Sequence, residues 1–242
     1  DAEREGDEIY AVIRGIGTSS DGLAKSVYAP RPEGQAKALR RAYEQAGYGP
    51  ETVQLVEAHG TGTKAGDIAE FTSLNTVFAE APTTAKQWCA LGSVKSQIGH
   101  TKSAAGSAAL FKAAMALQQK TLPPTIKVDK PHPDLNIEST AFYLNTQARP
   151  WVRPEQHPRR ASLSSFGFGG SNFHVTLEEY EGKAKRQRRV NVRDAEILPF
   201  SASSRTELNT AVEALIASRV SIEQAARNLQ STFKNDAPIR LV

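Results

Sequence analysis

The chain reads as an α/β protein, and three observations say so. Short β-branched, apolar runs at 9–16, 53–58 and 90–94 alternate with longer stretches of helical periodicity. Glycine and proline mark the joins between them. Two histidines, His59 and His100, each stand in a Gly-flanked turn shortly after an apolar run. In α/β proteins that is where strands end and reactive groups gather.

The elements follow in order. Residues 9–16 predict a strand, and Gly17-Thr18-Ser19-Ser20-Asp21-Gly22 reads as the loop after it. Pro32 opens a helix with Ala36, Leu39, Tyr43 and Ala46 on one side and Gly47 as its stop. The second strand, 53–58, ends at His59. The next helix starts near Asp67, an acid suited to the positive helix end, and carries Ile68, Leu74 and Phe78. A third strand at 90–94 ends at Lys95. Residues 103–119 predict a helix with small side chains all round its first turns, expected to lie almost wholly buried between layers. Pro123-Pro124 stops it, and strands follow at 142–144, 161–165 and 173–177. After Tyr180 the composition turns polar and basic over 181–194, a linker signature. A strand at 196–200, helices at 205–217 and 222–233 and a strand at 239–242 then make a small α/β piece. The expected division is therefore 1–180 and 181–242.

Composition narrows the function. With 242 residues, 39% of them hydrophobic, the chain can bury a substantial core. The formal net charge of +4 is mild, and its excess lies in Lys183, Lys185, Arg186, Arg188 and Arg189 without interleaved aromatics. That favours a solvated linker and no nucleic-acid partner. One cysteine allows no internal disulfide and suits a reducing cytoplasm. No apolar run approaches the roughly 20 residues of a membrane helix. The acidic, polar start is no signal peptide and reads as a surface loop.

Three motifs carry chemistry. In His59-Gly60-Thr61-Gly62-Thr63 the imidazole is sterically open, and the Thr61 and Thr63 hydroxyls can hold a polar chain such as an amide. The same histidine could equally bond the turn backbone, and the residues alone do not choose. In Lys95-Ser96-Gln97-Ile98-Gly99-His100 a second imidazole meets the start of the small-residue helix, whose free N–H groups favour a neutral ring and a bound anion. In Phe166-Gly167-Phe168-Gly169-Gly170-Ser171-Asn172 glycines surround an aromatic ring that can swing, and a backbone N–H can face a ligand. A plain glycine-rich bulge fits that composition as well. Metal binding is disfavoured, because neither histidine has a partner at ligand spacing. Cys89, beside Trp88 in a strand, reads as an inert buried thiol.

Taken together, these motifs resemble the β-ketoacyl synthases, the condensing enzymes of fatty acid and polyketide assembly. Residues 59–63 with Gly66-Asp67 resemble the first histidine motif, and 92–100 with the alanine-rich helix resemble the second. Leu122-Pro123-Pro124-Thr125, Arg149-Pro150-Trp151 and 165–172 match later landmarks in order. The likeness covers about 9–180. Gly66-Asp67-Ile68-Ala69-Glu70-Phe71 departs from the Gly-Asp-Pro-Ile-Glu usual in modular polyketide synthases, and with Phe142-Tyr143-Leu144-Asn145-Thr146 and Leu177-Glu178-Glu179-Tyr180 it looks more like iterative synthases of the polyunsaturated-fatty-acid or enediyne kind.

The resemblance implies a thiolase-like fold of five α/β/α/β/α layers, of which this chain would supply the second half, followed by a linker leading toward an acyltransferase domain. It implies decarboxylative Claisen condensation of a cysteine-bound acyl group with malonyl-carrier protein. His59, His100 and Lys95 would be catalytic. Thr61 and Thr63 would contact the phosphopantetheine arm of an acyl carrier protein, and Phe168, between Gly167 and Gly169, would gate the acyl pocket. The chain would bind no cofactor of its own. Its partners would be the carrier protein, an N-terminal half bearing the cysteine, a second copy of the complete domain and the adjacent acyltransferase. A half-domain exposes apolar surface and should not be a stable monomer by itself. Two rivals stand beside this reading. A chain-length-factor-like silent partner would have no need of His59, Lys95 and His100, and a thiolase-type enzyme is disfavoured by the carrier-linked motif at 59–63.

Overall fold

The computed structural model describes residues 1–22, 26, 29–128, 130–182, 195–234 and 236–242. It divides into two compact units, Asp1–Arg186 and Gln187–Val242. The basic run expected to form the linker falls at 183–194, outside the described residues.

The first unit runs α1 (Ala2–Glu5), β1 (Val12–Ser20), α2 (Pro32–Ala46), β2 (Leu55–Glu57), α3 (Lys64–Phe78), β3 (Cys89–Gly92), α4 (Lys95–Ile98), α5 (Ala105–Gln119), β4 (Thr121–Leu122), β5 (Phe142–Leu144), β6 (Arg149–Pro150), β7 (Arg160–Gly167) and β8 (Ser171–Glu178). The second holds β9 (Phe200–Ala202), α6 (Arg205–Ala217), α7 (Ile222–Thr232) and β10 (Ile239–Leu241). Its helices begin at Ser204 and Ser221, whose side chains accept the N–H groups of Glu207 and Gln224, a standard N-cap. Strands β9 and β10 pair antiparallel.

A six-stranded mixed sheet organises the first unit, in the order β1-β8-β7-β2-β3-β5. β7, β2, β3 and β5 run parallel, while β8 and β1 complete it antiparallel. Helices α2 and α3 cover one face through Leu39, Tyr43, Phe71, Leu74 and Phe78. Helix α5 covers the other through Ala109, Ala113, Ala116 and Leu117, packed with Leu55, Leu163, Leu177 and Trp151. Among the described residues no helix is long and apolar enough to cross a membrane.

Three sequence expectations are corrected. The first strand does not stop at Ile16. It continues to Ser20, paired with β8 along its length. Gly17 reads as the start of a loop, but both it and Gly15 lie in the strand with α2 close against them. A Cβ at either would run into the backbone of Ala42 or Ala38. The chain start is a short helix where a loop was expected. Helix α5 is buried on one side only. Ala105, Ala109, Ala113, Ala116 and Leu117 form its packed stripe, while Phe111 on the far side is 69% exposed. Small side chains permit close packing on any side, but the buried positions of this helix lie along one stripe.

His174 in β8 is wholly buried, shares a hydrogen bond with Ser164 at 3.0 Å and leans on the Tyr43 ring. Burial pushes its pKa from 6.5 down to about 3. An unfolded chain takes up a proton at ordinary histidine pH that the folded one refuses, so this residue's contribution is full above pH 6.5 and is lost as pH falls toward 3. A series of urea midpoints should decline through that window and flatten in His174→Gln. Equal slopes for both proteins would contradict the assignment.

Candidate active site

The site is built at the carboxyl ends of two neighbouring parallel strands. β2 and β3 are in register with Glu57 opposite Gly92. His59 lies two residues past the end of β2, and Lys95 three past the end of β3, where it opens the α4 turn that leads to His100. The imidazoles of His59 and His100 meet edge to face with ring centres 5.6 Å apart. Phe166, near the end of β7, packs on His59 at 5.7 Å. The three motifs therefore converge.

The His59 loop turns sharply, with Gly60 and Gly62 at φ +46° and +74°. What holds it is Glu70 on α3. The backbone N–H groups of His59 and Gly60 donate to the two oxygens of this one buried carboxyl at 2.7 and 2.8 Å. Burial pushes the Glu70 pKa up to about 7, against the pull of those two N–H groups. Asp67 accepts the Gly62 N–H at 3.1 Å in the same manner. Thr61 and Thr63 face one another, their hydroxyl oxygens 3.1 Å apart.

Electrostatics keep the pair of rings neutral. Burial, the Lys95 ammonium and His100 drive the His59 pKa down to about 4. His100 is also lowered, by loss of water, Lys95 and Lys102. The Lys102 N–H donates to Nδ1 of His100 at 3.0 Å, so the neutral ring carries its proton on Nε2. Lys95 is itself lowered by burial, while Glu70 and Glu57 support its charge. Two neutral imidazoles and an ammonium form a set of donors suited to a developing oxyanion.

Two clefts flank the His59 loop and share Thr61 and Glu70 in their walls. One is lined by His59, Thr63, Phe166, Gly167 and Phe168. The other, about 620 Å³, is lined by Lys95 and His100. Phe168 sits at the β7–β8 turn, 83% exposed, and Gly169 and Gly170 take φ of +86° and +77°. Asn172 anchors that turn by donating to Asp21 at 2.8 Å. Cys89 is buried in β3 with its thiol pushed well up by burial, which makes it a poor nucleophile.

Comparison with known proteins matches residues 10–129 to "Beta-ketoacyl synthase, C-terminal domain" and residues 131–239 to "Ketoacyl-synthetase C-terminal extension". The chain belongs to the β-ketoacyl synthases. It is 46% identical over 246 residues to a polyunsaturated fatty acid synthase polypeptide of Thraustochytrium sp., a match covering 100% of this chain and 9% of that protein. It is 40% identical over 215 residues to polyketide synthase PksL of Bacillus subtilis, covering 89% of this chain and 5% of that one. Among solved structures, the ketosynthase from module 6 of the bacillaene synthase of B. subtilis 168 matches with a TM-score of 0.73 and 38% identity, over 95% of this chain and 40% of that chain. The oxazolomycin ketosynthase domain OzmH KS7 of Streptomyces albus JA3453 matches with a TM-score of 0.73 and 32% identity, over 96% of this chain and 41% of that one. The fold is thus thiolase-like, and this ketosynthase chain spans less than half of each solved domain.

Sequence reasoning singled out His59, Lys95, His100, Thr61, Thr63 and the Phe168 turn. It missed Glu70, which holds the His59 loop, and Glu57, which supports the charge of Lys95. Glu57 left a trace that could have been used: a carboxylate inside an otherwise apolar buried strand must have a partner. Glu70 left none, because its reach back over the glycine turn depends on the packing of α3.

Proposed function

We propose that this chain provides the decarboxylation and condensation groups of a β-ketoacyl synthase within a polyketide or polyunsaturated fatty acid synthase. The observation that carries the proposal is the edge-to-face contact of His59 and His100 beside Lys95, on a loop held by Glu70. A cysteine from the rest of the domain takes an acyl group from a carrier protein, and the carrier thiol leaves. Malonyl-carrier then loses carbon dioxide, and the electron pair of the broken C–C bond becomes an enolate. The enolate carbon attacks the acyl thioester, releasing the cysteine thiolate and leaving a β-ketoacyl-carrier. His59 and His100 donate hydrogen bonds to the enolate oxygen. Burial and the Lys95 ammonium together keep both imidazoles neutral. Thr61 and Thr63 hold the phosphopantetheine arm, and Phe168 with Gly167 and Gly169 gates the acyl pocket. Substrates arrive on the carrier, so the chain needs no cofactor of its own. The working assembly is a dimer of complete domains beside an acyltransferase. A lone buried thiol, Cys89, suits the cytoplasm for this reaction.

The decisive measurement is release of carbon dioxide from malonyl-carrier by the complete ketosynthase, together with formation of the β-ketoacyl product. Absence of both in an acylated enzyme would overturn the reading in favour of a silent, chain-length-factor-like partner.

Exposed apolar side chains support the reading that another part of the domain covers this chain. On the α5 face of the sheet, Ile13, Ile16 and Phe173 at the β1–β8 edge are exposed, as is Phe111 on α5 itself. Produced without the remainder, the chain is expected to self-associate and to bind a hydrophobic dye. A monodisperse, dye-free monomer in sedimentation velocity would remove the need for a covering half.

A further inference from the structure

One ion pair beneath the site has no part in the chemistry above. Glu57, the last residue of β2, has its side chain 1% exposed and pairs at 2.7 Å with Lys112 Nζ on α5, 9% exposed. Its other oxygen accepts the N–H of Val94 in a short hydrogen bond. Glu57 is two residues before His59, and Val94 immediately precedes Lys95. One carboxylate thus joins both catalytic loops, and Lys112 ties the junction to the helix that starts just after His100.

We infer that Glu57 and Lys112 form a buried positioning pair for the reaction, fixing Lys95 relative to the two histidines and contributing the negative charge beneath its ammonium. This rests on the functional reading above. Burial is the first reason. Two ions cut off from water cost several kcal/mol unless paired, and an apolar pair would fill the same space with less penalty. Placement is the second. The pair does not lie at random in the core but at the one point where β2, β3 and α5 meet under the site. Electrostatics agree. Burial raises the Glu57 pKa and Lys112 opposes that rise. Glu57 and Glu70 both support the charge of Lys95 against its own burial. The groups around Lys95 are Glu57 on β2, Glu70 and Asp67 on α3, and His59 and His100 in the loops, with Lys112 behind Glu57 and Lys102 beyond His100. Of these, Glu57 is the carboxylate fixed to the backbone beside Lys95 through the Val94 N–H.

The test uses the complete ketosynthase with malonyl-carrier and an acyl-carrier donor. Glu57→Gln keeps the shape and an acceptor for Val94 but removes the charge. It is expected to lower kcat for carbon dioxide release about tenfold or more, as small displacements of reacting groups do. KM should stay within about twofold, because the bound substrate is not touched. The alkaline limb of the pH profile should move to lower pH, since an ammonium with one fewer negative neighbour loses its proton sooner. Acylation of the cysteine should be unchanged. Lys112→Arg, which keeps the cation, should retain the wild-type profile. If Glu57→Gln does not fold, the Glu57→Gln/Lys112→Gln double variant leaves no lone buried ion and is scored by the same readouts. A folded variant with unaltered kcat and alkaline limb would overturn the inference. So would equal loss of acylation and decarboxylation, the signature of a merely structural pair. If the unsubstituted enzyme releases no carbon dioxide, the functional reading fails; if it does and the variants match it, only the positioning role fails.

Discussion

Replacing His100 by alanine in the complete ketosynthase is expected to slow malonyl decarboxylation by a hundred- to thousand-fold, about 3–4 kcal/mol, while acylation of the cysteine proceeds nearly as before. The two steps draw on different groups. On the proposed reading, acylation needs a thiolate and an oxyanion hole, which the rest of the domain and the Phe168 turn would supply. On the proposed mechanism, decarboxylation builds charge on an oxygen that the two imidazoles would face. His100 is suited to that task because the Lys102 N–H occupies its Nδ1 and leaves Nε2–H to donate. Radiolabelled acyl transfer run beside carbon dioxide release reads both steps. Equal losses would make His100 a support of the pocket, and unchanged carbon dioxide release would take it out of the chemistry.

Glu70→Leu is expected to have the larger effect on stability. The substitution strands the N–H groups of His59 and Gly60 without an acceptor, at about 1–3 kcal/mol each. The His59 loop should then lose its turn, and both condensation and the thermal midpoint should fall. Glu70→Gln keeps one acceptor and is milder, with a pH dependence of definite sign. The folded carboxyl titrates near 7 and the unfolded one near 4.5. A raised carboxyl stabilises the fold most below pH 4.5, and that contribution is lost as pH rises through 7. The deficit of Glu70→Gln relative to the parent should therefore shrink from pH 4.5 to 7 and then level off. Urea midpoints across that range measure it. A deficit that grows with pH would mean that the carboxylate, not the acid, is the stabilising form.

Much of the site was legible because its parts obey local rules. His59 and His100 follow apolar runs and are bracketed by glycines, and that signature survives without knowledge of the fold. The loops' placement beside one another followed from parallel strands ending on the same side. Where reading failed, a contact distant in sequence had decided the outcome. Gly17 and Ser19 carry loop chemistry, yet they lie in β1 because α2 needs a surface without side chains at Gly15 and Gly17. Ala104, Ser107 and Ala108 suggest burial all round, yet the buried residues of the helix are Ala105, Ala109, Ala113, Ala116 and Leu117. Glu70 and Glu57 act through partners 10 and 37 residues away, respectively, and no periodicity reports such reach.

The register of β2 on β3 has a consequence for how such enzymes diversify. The roots of the two loops are spaced by the hydrogen-bond ladder of adjacent strands, about 4.8 Å from one to the next, and the α4 turn then carries His100 back beside His59. The segment between α3 and β3 does not set that strand spacing. On the proposed reading, a change toward longer, shorter or more polar acyl chains would fall on the walls of the clefts, while the paired strands keep the roots of the two histidine loops at one spacing.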